Sequence, residues 1–243
     1  FRRRGEVQRA IRMHQNLFER AALEEEQRLH ALFELAQDYL KAGLLDRAEE
    51  LFAKLEDTAH AEAALKCLLE IYEQEKDWQK AIDAAGKLET HTGHSHQKEI
   101  ANFYCELASN EIIHSRPEAA RPYLAEALAH HRLSVRANLL LGDLETSLGN
   151  AEEAIEAWKR IESQNPDYLA LVAEKLLVAF TALQRLEEGL NLLRGYLAKY
   201  PSLDLLNTVF QGTLEKEGPE VAYRLVCDEL RRNPTLLGLD KLL

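Results

Sequence analysis

Proline, glycine and cysteine are scarce in this chain, at 6, 11 and 3 of 243 residues. So little proline and glycine leaves few tight turns for a sheet-rich fold and few long irregular loops. The three cysteines, Cys67, Cys105 and Cys227, are odd in number, far apart and in no C-x-x-C pair. That spacing supports neither a disulfide framework nor a cysteine zinc site. Each lies in an apolar helical run and reads as a small buried hydrophobe. No stretch approaches the roughly 20 apolar residues that cross a bilayer as a helix. Phosphate-loop, dinucleotide, zinc-protease and nucleophile-elbow motifs are all missing, so no catalytic constellation is legible.

Positive charge is also short. The net charge is −11, which opposes nucleic-acid binding. Only residues 1–20 run the other way, with Arg2, Arg3, Arg4, Arg9, Arg12 and Arg20 against Glu6 and Glu19. They read as a solvated helix face or as a segment beside an anionic membrane surface.

What is present is a repeat. Hydrophobic residues are 46% and charged residues 29%, as in a folded globular chain. Residues 135–168 read as two helices joined at Gly149, with Gly142 in the first, Ala154, Trp158 and Ile161 on one face of the second, and Pro166 closing the unit. A period of about 34 residues with this pattern is tetratricopeptide-like. A small residue recurs where two helices cross closely: Ala10, Ala48, Ala81, Ala120, Ala154, Gly189 and Ala222. Five residues before each comes the expected turn: Gly5, Gly43, Lys76, Ser115, Gly149, Gln184 and Glu217. The glycines suit positive φ, and the others predict looser turns. Asp77 is the expected N-cap of a helix from Trp78. Ser115 to Glu118 has capping-box spacing, and Gly218-Pro219 opens a helix. Residues 91–98 (HTGHSHQK) are the expected longest inter-repeat connection.

The predicted fold is all-α: a single tetratricopeptide array over 1–243, with about seven helix pairs in a right-handed superhelix. Residues 1–20 read as a second helix without its first, and Leu236–Leu243 as the start of a further helix, so the sequence is expected to be a fragment. First helices are expected to line a binding face, with His30, Phe33, Gln37, Lys66, Glu70, Asn102, Cys105, Arg136, Asp143 and Glu174 pointing toward a protein partner. His91, His94 and His96 are a weak candidate for zinc or nickel, lacking a neighbouring Cys or carboxylate ligand in any recognised spacing. No cofactor is expected. Glu70 stands where a chaperone-tail clamp would need an asparagine, which disfavours that ligand. A generic tetratricopeptide scaffold for another complex is the competing reading; an enzyme would need convergent buried polar groups.

Several strings carry a narrower resemblance: RRGEV at 3–7, RAIR at 9–12 and HQ at 14–15; DY at 38–39, AGL at 42–44 and DRAE at 46–49; WQKAID at 78–83; EIA at 99–101 and FYCELA at 103–108. Together these resemble the lipopolysaccharide assembly protein B family of Gram-negative bacteria, tightly over 3–108 and at repeat level beyond. The resemblance implies an adaptor on the cytoplasmic face of the inner membrane. Its implied partners are a membrane ATP-dependent metalloprotease and the deacetylase that commits lipid A synthesis. Family members add an N-terminal transmembrane helix and a C-terminal rubredoxin-like module holding iron or zinc, both absent from this sequence. Membrane contact is expected only through that helix. No nucleic-acid partner is expected, and homodimerisation is left open.

Overall fold

A computed structural model describes residues 5–20 and 23–234. The Arg2 to Arg4 part of the basic cluster and the apolar tail therefore lie outside the described residues. Among those described, every regular element is helical. After α1 (Val7–Phe18) come six helix pairs: α2 (Glu25–Lys41) with α3 (Leu45–Ala53); α4 (Ala61–Glu75) with α5 (Trp78–Thr92); α6 (Gln97–Ile113) with α7 (Pro117–His130); α8 (Val135–Ser147) with α9 (Ala151–Lys159), extended by α10 (Ile161–Gln164); α11 (Leu169–Ala182) with α12 (Leu186–Lys199); and α13 (Leu203–Glu217) with α14 (Pro219–Arg232). Helix α1 occupies the place of a second helix in the first of the seven expected units.

The chain forms two compact units, residues 1–107 and 108–243. In the first, α1 packs on α2, α2 on α3, α3 on α4 and α4 on α5. Its core joins Leu35, Phe52, Leu55, Leu65, Leu68 and Leu88. In the second, α8 packs on α9, α11 on both α9 and α12, and α13 on α11, α12 and α14. Trp158, Ile161, Leu176, Phe180 and Leu193 fill that core. All seven predicted small-slot residues are buried. The reason is direct at Gly189, where an added Cβ would lie 2.8 Å from the Phe180 ring.

The turns within pairs are more uniform than the sequence predicts. Gly43, Lys76, Ser115, Gly149 and Gln184 all take φ between 58° and 80°. Each helix end closes with the same two backbone bonds. At the first, Gly43 N–H donates to Leu40 C=O and Leu44 N–H to Tyr39 C=O, both at 3.0 Å. The same pair recurs through Asp77 to Tyr72, Arg116 to Glu111, Asn150 to Glu145 and Arg185 to Phe180. This is the Schellman cap. Lys76, Ser115 and Gln184 are therefore not loose turns; they accept the left-handed conformation that glycine takes elsewhere. The last pair departs by one residue. Helix α13 runs through Glu217, and Gly218 turns instead at φ 89° and ψ 172°.

Two local expectations are corrected. Asp77 caps α5 as predicted, accepting from Lys80 N–H. Ser115, however, forms no capping box: it is the left-handed residue, Arg116 is the N-cap, and no side chain caps α7. Nor is 91–98 the long connection. Helix α5 runs to Thr92, Gly93 ends it at φ 69°, and α6 starts at Gln97. The connection at residues 54–60 is longer, and the wide spacing from Ala81 to Ala120 comes from the long helices α5 and α6.

Candidate functional site

First helices expose one face that their pairing partners do not cover. In residues 1–107, Gln37 and Glu70 meet in a groove of about 450 Å³ between α2 and α4, with Leu40, Lys41, Cys67 and Gln74. Gln74 Nε2 donates to Glu70 at 3.3 Å. Burial and the Glu70 charge push the Cys67 thiol up to about 11, so it is neutral and unreactive near pH 7. Lys66 is exposed and held by Glu62 one turn earlier, at 2.5 Å. Phe33 is half-buried, stacked on His60 at 5.3 Å and edge-on to Phe52 at 5.7 Å, so much of its surface serves packing. The His30 ring lies 5.9 Å from that of His60. Asn102 is exposed on α6, whereas Cys105 is fully buried and offers nothing to a partner.

In residues 108–243 a second groove, of about 430 Å³, runs between α11 and α13. Glu174, Val178 and Thr181 come from α11, and Asn207, Thr208, Gln211 and Glu215 from α13. Leu177 and Gly212 form part of its lining. Gly212 has no room for a side chain, since a Cβ would sit 2.8 Å from Leu190 and 3.0 Å from Leu177. Val178 and Leu171, on the same face of α11, are 60% and 61% exposed. Asp143 on α8 is engaged by Lys175 of α11, whose Nζ donates to both carboxylate oxygens at 2.6 and 2.8 Å. Arg136 is exposed near the start of α8.

Sequence reasoning thus found Glu174 but missed Lys175, Asn207, Thr208, Gln211 and Glu215. The signal was available: adding one 34-residue period to Glu174 lands on Thr208, beside Asn207.

Charges on and beside the second helices also join repeats. Lys80 of α5 reaches back to Glu49 of α3 at 2.8 Å, and Lys87 pairs with Glu56. Arg185, just ahead of α12, holds Glu152 of α9 at 2.8 Å, and Lys199 of α12 holds Glu162 of α10 at 2.8 Å. These pairs join successive repeats. A further network buries Glu145, which receives two bonds from Arg121 and one from Asn150, all at 2.8 Å. The Arg121 guanidinium, with Asn150, holds that carboxyl below the usual carboxylate range despite its burial.

The histidines of 91–98 do not converge. His91 lies in the last turn of α5 and His94 and His96 in the connection. Among the described residues no group of three or more His, Cys, Asp or Glu is placed to hold a metal ion. No helix is long and apolar enough to cross a membrane, again among the described residues.

Comparison with known proteins agrees with the repeat. The tetratricopeptide-repeat family matches residues 106–168. The chain is 35% identical, over its whole length, to Lipopolysaccharide assembly protein B of Escherichia coli K12, of which it spans 63%. It is 34% identical to the protein of the same name in Haemophilus influenzae, with 98% of this chain and 60% of that protein aligned. Among solved structures, the MamA protein is similar at 21% identity and a TM-score of 0.43, covering 72% of this chain and 96% of MamA.

Proposed function

We propose, from the premise that this chain is a tetratricopeptide-repeat member of the lipopolysaccharide assembly protein B family, that it is a non-catalytic adaptor which binds proteins through its first-helix grooves. The observation that carries this reading is the open groove between first helices α11 and α13, with exposed aliphatic side chains on the same face of α11. Charges on both kinds of helix join successive repeats, as Lys80–Glu49 and Lys175–Asp143 do. First helices leave Leu171, Val178, Asn207 and Gln211 open to solvent or to a partner. Exposed aliphatic side chains flanked by amides supply both apolar area and backbone hydrogen-bonding groups for a bound segment.

The finer reading follows the family. The adaptor presents the deacetylase that commits lipid A synthesis to a membrane-bound ATP-dependent metalloprotease, so that its proteolysis limits lipopolysaccharide output. This takes place at the cytoplasmic face of the inner membrane. Affinity capture from detergent-solubilised Gram-negative membranes tests it, using the protein with its native ends. Wild type is expected to retain the metalloprotease and the deacetylase, and L171D/V178D to lose at least one. Retention of a different envelope complex by wild type would overturn the lipid A reading in favour of a scaffold for another assembly.

A further inference from the structure

The groove between α11 and α13 is charged on one side of the balance only. Thr208 stands one repeat on from Glu174, and Glu215 one repeat on from Thr181. The two carboxylates are thus seven residues apart in register, or roughly 10 Å along the helix axes. Val178, Gln211 and Gly212 lie between them. The cations nearby are engaged elsewhere. Lys175 is on Asp143, Lys216 on Glu187 at 2.9 Å and Arg194 on Glu217 at 2.6 Å. Among the described residues neither Glu174 nor Glu215 has an ion-pair partner. Asp204, exposed on α13, falls at helical spacing on the same face as Thr208 and Glu215 and adds to the negative sign.

We infer that this groove takes an extended, basic-aliphatic segment of a partner protein. Two Lys or Arg side chains three residues apart on a polyproline II-like backbone would share one face, since that helix repeats every three residues and advances roughly 3.1 Å per residue. An aliphatic residue between them covers Val178, and the Asn207 and Gln211 amides pair with the segment's backbone. An acidic segment would meet uncompensated like charge. A second copy of this chain, at net charge −11, is a poor complement. The inference rests on the reading that first-helix grooves are the contact surface, and it adds the chemistry of what they contact.

Fluorescence anisotropy tests it with a labelled peptide, Gly-Ala-Lys-Val-Leu-Lys-Ala-Gly, and its counterpart with both lysines replaced by glutamate. The full chain is titrated into each at low salt. Wild type should bind the lysine peptide, more weakly as salt rises, and bind the glutamate peptide poorly. E174Q/E215Q keeps side-chain shape, so circular dichroism should be unchanged. Its affinity for the lysine peptide should fall roughly five- to tenfold, the combined effect of two exposed ion pairs. V178K, which removes the aliphatic contact and puts like charge in the groove, should abolish binding of the lysine peptide. Equal binding of both peptides, or unchanged affinity in E174Q/E215Q, overturns the inference. If neither peptide binds but L171D/V178D still abolishes partner capture, the basic-segment inference fails while the groove reading stands.

Discussion

Two glycines show how far a single hydrogen decides packing here. Gly142 of α8 lies under Trp158, and an added Cβ would sit 2.1 Å from its Nε1. Trp158 is 1% exposed and cannot retreat. Gly86 of α5 has nothing within 4 Å of the same position. Alanine gains about 1 kcal/mol over glycine inside a helix, while forced overpacking costs roughly 1–3 kcal/mol or more. Gly142→Ala is therefore expected to lose about 1–2 kcal/mol and Gly86→Ala to gain about 0.5–1 kcal/mol, read from chemical denaturation. The same sign for both would contradict this account. At Lys76, φ is 58° and the side chain is exposed. Lys76→Gly should stabilise by roughly 0.5 kcal/mol, the relief of left-handed strain less glycine's extra unfolded-state entropy; a loss on denaturation would contradict it. These positions also mark what was legible. The small slots were readable because the close approach of two helices forbids bulk at one fixed register. The turn residues were readable by position but not by type, since a lysine or glutamine says nothing of positive φ until the cap bonds around it are seen.

At the scale of elements, the repeated Schellman cap fixes how a first helix hands over to a second in five of the described pairs, and Gly218 ahead of Pro219 takes its place in the last. The capping box at Ser115 failed because Ser115 itself became the turn. The 91–98 connection was misjudged because His and Thr at a helix end look like loop composition. The α7–α8–α9 network was not legible at all, since Arg121, Glu145 and Asn150 meet only after three helices pack. Glu145 gives it a pH signature. Its carboxyl is held below the usual value near 4.5. A carboxylate lowered in the folded state adds stability that is fully present above the unfolded value and is lost as pH falls through the folded one. Glu145→Gln should thus lower the melting temperature at pH 7. Its gap from wild type should start to close below about pH 4.5 and shrink further toward lower pH. A gap that is constant from pH 7 to pH 3 would show that the Glu145 charge contributes nothing. The inter-repeat pairs of Lys80 and Lys199 are exposed, so each is expected to contribute less than about 1 kcal/mol and to weaken with salt.

For the molecule as a whole, the repeat class was legible because it is written at a fixed period along the chain, and the family resemblance because particular strings within 3–108 carry it. The proposed binding surface was only half legible. Gln37 and Glu70 do share one groove and Glu174 lines another, but α13 supplies Asn207, Gln211 and Glu215, which no motif marks. A repeat scaffold hides its function in this way, because exposed positions on a helix face carry no packing constraint to make them recognisable. First-helix faces are where we propose that partners sit. Site-specific photo-crosslinking in cells tests it most directly, with the probe at Gln211 in the α11–α13 groove and, separately, at Asn191, exposed on the second helix α12. A discrete crosslinked protein is expected from position 211, suppressed by V178D, and none from 191. Crosslinks from 191 with none from 211 would move the contact surface to the second helices and contradict it.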